Sequence, residues 1–386
     1  MRTLSTAGSF SLLAVACLTI MVGCVIVPGL PSIAEQLGIG DMASWLITLP
    51  SLGVVLFGPL AGRLIQRQGL YRALCLGLFA YGLLGVAAAV LHGPLAVFAD
   101  RLALGGATAV VMAAGTGLIS LFYQGEARLQ MIARQGMAIE LGGVIFLFLG
   151  GVLASLGWHW PFLLYLMAWV FLLMILAFVP RPDESGPTDD SALTKVPITA
   201  ALKRVLLAAS LSMICFFTAV IMLPLRLHEL GFSEAQTGYL LAYVSLVAVA
   251  AAAVMPRAAR RLGEYGTLAF AFVFYALAHL AFACADSLTL LLEGGLCMGI
   301  GFGLSIPLVN HMTLEQSHVA LRGRNLAWLS MAIFTGQFLS SFMDYLPGQR
   351  AVVFVAAAAL AMLSAVLLTV VHKRVRATHD GRLSND

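Results

Sequence analysis

Three ionisable residues stand where charge is costly. Asp100 and Arg101 lie in the apolar run Leu95 to Phe122, and Glu140 lies in the run Met131 to Leu156. A charge inside a bilayer costs several kcal/mol unless it faces protein or water, so each of the three is a functional candidate. Glu140 shares a helical stripe with Gly136, Gly143 and Gly150, small residues that place it against packed helices instead of lipid. Counting roughly 1.5 Å per residue from opposite ends of the two runs brings Arg101 and Glu140 within about 10 Å along the membrane normal. Desolvation and a nearby guanidinium act on such an acid in opposite senses, and a balance that shifts as the surroundings open is what proton coupling requires. The expectation is that Glu140 exchanges the proton, that Arg101 is its switchable partner, and that Asp100 is a second acid. The alternative is a permanent Arg101–Glu140 pair that only fixes one helix against the next.

Polar residues in the second part of the chain form another group. Gln337, Ser340, Ser341 and Asp344 make a stripe on one apolar run, Tyr243 and Ser245 mark a second, and Asn310 and His311 end a third. With Met112, which follows Arg101, Gly105 and Thr108 on one helix face, the residues Tyr243, Gln337, Ser341 and Asp344 are candidates to line a substrate cavity. Taken singly, each is more often a packing or helix-end group. Glu293 is a further buried-acid candidate that could also sit at the interface, and His279 alone on an apolar run reads as structural. The six cysteines all fall inside apolar runs without a CxxC pair, which favours small packing residues over disulfides or zinc. No phosphate-binding loop, HExxH, GxSxG or dinucleotide fingerprint is present, so neither ATP-driven transport nor enzyme chemistry has support, and no cofactor or metal is expected.

The elements that must hold these groups follow from composition. Of 386 residues 61% are hydrophobic and 10% charged, with mean hydropathy +0.96, against roughly 25% charged in soluble domains. Twelve apolar runs of about 20 residues can be laid out, each long enough to cross a roughly 30 Å hydrocarbon core as a helix. Lys and Arg concentrate on one side of this layout, including Arg63, Arg67, Arg72, Arg128, Arg134, Arg181, Lys203, Arg257, Arg260, Arg261, Arg322 and Arg324, while the other side keeps Arg226 and Arg350. That bias predicts both termini in the cytoplasm and explains the net charge of +4 without a nucleic-acid partner. Met21-Val22-Gly23-Cys24 looks like a lipoprotein cleavage site, but cleavage would leave an odd number of spans.

The chain also repeats itself. Gly62-Arg63-Leu64-Ile65-Gln66-Arg67-Gln68-Gly69 and Pro256-Arg257-Ala258-Ala259-Arg260-Arg261-Leu262-Gly263 are basic turns 194 residues apart. The same offset carries Gly105 onto Gly299, and an offset of 193 carries Pro31 onto Pro224 and Gly38 onto Gly231. Two halves are expected, residues 1–180 and 199–372, joined by a polar cytoplasmic linker at 181–198 and followed by a disordered cytoplasmic tail at 373–386. Under the same offset Arg101 falls on Gly295 and Glu140 on Phe334, so the charged residues belong to the first half alone.

Gly62-x-Leu64-Ile65-Gln66-Arg67-x-Gly69-x-x-Arg72 resembles the cytoplasmic loop motif of the major facilitator superfamily, usually written G-x-L-a-D-R-x-G-r-r. The resemblance makes Gly62, Gln66, Arg67, Gly69 and Arg72 a gating loop, in which Gly62 lets helices approach, Gly69 turns, and the arginines meet helix ends or lipid phosphates. Gln66 stands where the family usually has the Asp that locks the cytoplasmic gate. Pro28-Gly29-Leu30-Pro31, Arg101-x-x-x-Gly105-x-Ala107 and the Gly150-Gly151 to Trp158-His159-Trp160-Pro161-Phe162 stretch resemble motifs of the twelve-helix drug:proton antiporter branch. Leu104 replaces that branch's Gln, and Phe146-Leu147 replaces its Gly-Pro pair. The resemblance implies an all-α membrane protein of two pseudo-symmetric six-helix bundles, not an enzyme. It would be a monomer in the inner membrane that exports a small organic molecule by proton-coupled alternating access. Its partners would be that small-molecule substrate, protons and membrane lipid. Uptake or facilitated passage of one metabolite is the alternative, favoured by Gln66 and the missing Gly-Pro pair.

Overall fold

The computed structural model describes residues 4–182, 197–318 and 321–383, and every regular element among them is helical. The helices are α1 (Thr6–Cys24), α2 (Leu30–Gln36), α3 (Ala43–Gln68), α4 (Leu70–Ala87), α5 (Pro94–Phe122), α6 (Gly125–Leu156) and α7 (Met167–Phe178), the last entered through a 3₁₀ turn at Trp160–Leu166. They continue as α8 (Ala200–Glu229), α9 (Glu234–Leu262), α10 (Glu264–Ala283), α11 (Leu288–Glu315), α12 (Arg322–Leu339), which runs into a 3₁₀ turn at Ser340–Tyr345, and α13 (Arg350–Leu383). Twelve spans among the described residues are long and apolar enough to cross a membrane. The protein is a multi-pass, all-α membrane protein.

The chain divides into two compact units. One comprises Met1–Asp189 with Pro224–Ala242, the other Asp190–Leu223 with Tyr243–Asp386. This differs from a simple cut at the linker, because the adjoining ends of α8 and α9 group with the first half. Within the first unit, the Gly238 backbone lies against Gly151 of α6, Tyr239 stacks on Phe148 at 5.3 Å, and the Ser32 hydroxyl donates to the Glu234 carboxylate. Most of the expected linker, residues 183–196, lies outside the described residues. The tail expected to be disordered is instead helical to Leu383, since nothing between His372 and Ala377 breaks a helix; residues 384–386 lie outside the described set.

The internal repeat is visible in backbone and side-chain geometry within each unit. Gly69 and Gly263 both adopt a positive φ, at (79°, 162°) and (74°, 164°), which is where a basic turn between two spans needs glycine. Gly38 and Gly231 likewise sit at φ +69° and +80°, and both turns close identically: Ile39 N–H bonds to Ala34 O as Phe232 N–H does to Leu227 O. A Cβ on Gly105 would strike the Pro50 carbonyl, and one on Gly299 would strike the Val244 carbonyl, the same pair 194 residues on. So α3 and α5 in one unit, and α9 and α11 in the other, meet backbone to backbone through small residues. The Cys17 thiol donates to Ala138 O at 3.1 Å, and the Ser210 hydroxyl donates to Ala332 O at 2.7 Å. Tyr81 donates to Leu18 O at 2.7 Å, whereas its counterpart Tyr275 shares a buried hydroxyl triangle with Ser212 and Ser305 at 2.7–3.0 Å.

The repeat fails at one place for a local reason. Pro28-Gly29 together with Pro31 breaks the first span between Cys24 and Leu30, but α8 runs unbroken through Pro224 because Ile221-Met222 stand where Pro28-Gly29 would be.

Candidate functional site

Arg101 is buried two turns into α5 and fully bonded. Its Nε and Nη2 donate to Asp100 Oδ2 at 3.2 and 2.9 Å, Nη1 to the Tyr165 hydroxyl at 3.3 Å, and Nη2 to the carbonyls of Leu84 and Gly85 at 3.3 and 3.4 Å. The guanidinium also lies 5.7 Å from the Phe162 ring centre and 5.4 Å from that of Tyr165. Tyr165 passes the network on by donating to Val22 O at 2.8 Å. Gly85 must be glycine here, since the Tyr165 ring fills the place of its Cβ. The node therefore ties α1, α4, α5 and the turn before α7 together, and Asp100 meets the buried guanidinium charge.

Glu140 is not among the partners of Arg101. The expected Arg101–Glu140 pair gives way to Arg101–Asp100, because the carboxylate next to Arg101 in sequence reaches it while its other donors turn toward α4. Glu140 makes no hydrogen bond or ion pair among the described residues and is half-buried. It lies close enough to the Cys24 thiol of α1 to interact electrostatically. Along α6, Glu140 shares a face with Leu147 and Gly151, and at Gly151 that face is covered by the backbone of α9. The side chain thus projects on a protein-facing side of α6, below the α9 contact. The separate stripe Met137, Leu141, Ile145 carries large exposed apolar side chains suited to lipid.

The remaining candidates scatter. Met112 is half-buried on α5, two turns beyond Gly105, whose face is turned to α3. In the second unit the Tyr243 ring packs where a Cβ on Gly295 would lie, at 3.3 Å, so the position equivalent to Arg101 is filled by an aromatic neighbour. Ser340 and Ser341 spend their hydroxyls on the carbonyls of Gln337 and Phe338, Gln337 is buried, and Asp344 is half-buried. Glu293 is exposed, as the interfacial alternative had it. His279 is buried and bonds through Nε2 to Cys215 O at 2.9 Å. Cys215 corresponds to Val22 under the 193 offset, so an imidazole in one unit does what the Tyr165 hydroxyl does in the other.

In the loop, Gly69 makes the expected turn. Gly62 does not mediate a helix approach, because a Cβ there would meet nothing within 4 Å. Gln66, Arg67 and Arg72 are exposed. Tyr165 was not legible as a site residue; a lone Tyr in an apolar run carries no signal. The Tyr81–Tyr275 pair did carry one, lying 194 residues apart like the other repeat positions.

The sequence profile of the Major Facilitator Superfamily matches residues 12–341. The chain belongs to this superfamily. Solved superfamily-type structures share the fold at low identity. A mutant of the nucleoside transporter NupG superposes with TM-score 0.75 at 14% identity, covering 94% of this chain and 99% of that one. A bacterial homologue of the human lysosomal transporter Spinster, inward-facing and unoccupied, gives 0.73 at 14%, covering 95% and 96%. Among curated superfamily relatives, puromycin resistance protein pur8 of Streptomyces alboniger is 30% identical over 187 residues, 46% of this chain and 36% of that protein. The uncharacterized MFS-type transporter EfpA of Mycobacterium tuberculosis is 31% identical over 144 residues, 36% of this chain and 27% of its own length. The matched stretches span about a third of those relatives.

Proposed function

We propose that this transporter exports a small organic molecule from the cytoplasm in exchange for protons, by alternating access in the inner membrane with both termini cytoplasmic. Glu140 is the proton-exchanging acid. The observation that carries this reading is the contrast between the two acids: buried Asp100 is held by Arg101, while half-buried Glu140 has no partner among the described residues, faces protein, and is free to bind and release a proton. Arg101 then acts by fixing α1, α4 and α5 around the site instead of by pairing with Glu140, and Asp100 serves as its counter-ion. Met112, Tyr243, Gln337, Ser341 and Asp344 remain candidates for cargo contacts. Exposed Arg67 and Arg72 suit lipid phosphates on the cytoplasmic side. The similarity to a puromycin resistance protein supports export.

Uptake or facilitated passage is the second reading, and one observation favours it. α6 is one continuous helix through Phe146 and Leu147, both buried, where the antiporter branch has the Gly-Pro pair that would break its hydrogen bonding. Purified protein in proteoliposomes separates the two. Under export, an inward proton gradient drives cargo outward and a protonophore abolishes the movement. Cargo that runs only down its own gradient, with or without the protonophore, establishes facilitated passage.

A further inference from the structure

Buried polar groups in the second unit are paired almost throughout. Among its described residues, each buried Ser, Thr, Asn and His side chain makes a hydrogen bond, most of them to a carbonyl one turn back in the same helix. Two buried polar side chains there have no such partner, the Tyr265 hydroxyl at the start of α10 and the Gln337 carboxamide in α12. Gln337 is only 6% exposed, yet its amide carries two donor hydrogens and an acceptor oxygen.

An unpaired amide in a packed interior costs stability, so a fold keeps one where something else supplies the bonds. Gln337 stands nine residues from Trp328, half a turn of azimuth away, and two from Leu339. It therefore points away from the face of α12 whose large exposed side chains suit lipid. Its neighbours have already spent their bonds. The Ser340 and Ser341 hydroxyls donate to carbonyls of their own turn, and Gly336 lies against the backbone of Ser210, whose hydroxyl donates to Ala332 O.

The repeat identifies this face. The Cβ positions of Gly142 and Gly336 meet Cys17 and Ser210, residues that are themselves 194 and 193 apart. Gln337 thus repeats Gly143, which lies one turn from Glu140 on the same face of α6. Faces related in this way flank the substrate site of duplicated membrane proteins. A carboxylate cargo group would only accept hydrogen bonds and an ammonium would only donate them, and either would leave half of the carboxamide unpaired.

We propose that Gln337 selects the cargo, by pairing its carboxamide with an uncharged group that carries a donor and an acceptor side by side, as a primary carboxamide or a lactam does. The proposal rests on the reading of the α12 stripe as part of the cargo site. It adds the chemical class of the group bound there and is independent of the proton role of Glu140.

Equilibrium binding of tritiated 2-quinolone and 2-naphthamide to the purified full-length protein tests this. The comparators are N-methyl-2-quinolone and N,N-dimethyl-2-naphthamide, which keep the acceptor and lose the donor. Wild type should bind at least one parent compound about tenfold or more tightly than its methylated form, and Gln337→Leu should lose that preference. With no ligand added, Gln337→Leu should unfold at a higher temperature than wild type, because it removes the unpaired amide. A side chain kept for packing or for a buried water would shift that temperature downward or leave it unchanged. Wild type that distinguishes neither pair, Gln337→Leu that keeps the preference, or Gln337→Leu that unfolds at or below the wild-type temperature overturns the proposal. Binding is measured without a proton gradient, and Glu140→Gln should retain the preference. A preference present while gradient-driven movement is absent sinks the antiport reading alone, and gradient-driven movement without the preference sinks this one alone.

Discussion

Arg101 Nη2 stands 2.9 Å from Asp100 Oδ2 with both side chains buried, so the guanidinium is met by its neighbour in sequence, and Glu140 has no ion-pair partner among the described residues. On the proposed reading Asp100 holds the bundle through Arg101, and Glu140 is the acid that exchanges the proton.

The holding role predicts a stability pattern. Asp100→Leu alone should cost about 3–5 kcal/mol, because it strands a buried guanidinium, whereas Asp100→Leu with Arg101→Leu should cost clearly less than either single change. Thermal unfolding of the purified variants in detergent measures both. Singles that add up in the double variant would contradict the pairing.

Glycine positions should respond according to what a Cβ meets, not according to motif membership. Gly105→Val and Gly299→Val press a side chain into the carbonyls of Pro50 and Val244, and each should destabilise by about 2 kcal/mol or more. Gly62→Ala has open space and should stay within about 0.5 kcal/mol of wild type. Unfolding temperatures that rank Gly62→Ala with the other two would overturn this account.

These contrasts show what the sequence made legible. Span count, helical class and the repeat followed from composition and from residues such as Gly69, Gly263, Gly105 and Gly299, whose spacing is dictated by backbone geometry that only glycine allows. The Arg101 partner was not legible, because distance along the membrane normal says nothing of azimuth. Arg101 reaches toward α4 while Glu140 lies on the α9 side of α6. Gly62 misled because a sequence motif does not state which glycines touch a neighbour. The tail after Lys373 misled because polarity was read as disorder, although Lys, Arg and Ala all favour continuing a helix.

His279 offers a test of the second unit. Its Nε2 must carry the hydrogen donated to Cys215 O, which leaves Nδ1 buried without a partner. His279→Phe loses one hydrogen bond but also removes that unpaired atom, so unfolding should shift by about 1 kcal/mol or less, whereas His279→Lys should cost about 3 kcal/mol or more. A His279→Phe variant as damaged as His279→Lys would show that Nδ1 has a role the geometry does not reveal.

Ser32 and Glu234 predict how firmly the α8–α9 turn is held in the first unit. Glu234→Ala removes a hydrogen bond to a carboxylate and should raise hydrogen–deuterium exchange in residues 224–242 while leaving α4 and α5 unchanged. Unaltered exchange in that segment would show that the Gly151–Gly238 contact alone suffices.

The most direct measurement concerns Glu140. Proteoliposomes of wild type, Glu140→Asp and Glu140→Gln are loaded with a cargo found by panel screening, and outward movement is followed under an imposed inward proton gradient. Wild type should move cargo against its gradient, Glu140→Asp should retain part of that rate, and Glu140→Gln should show no gradient-driven movement at any pH. Glu140→Gln moving cargo at the wild-type rate with the wild-type pH dependence would contradict the account.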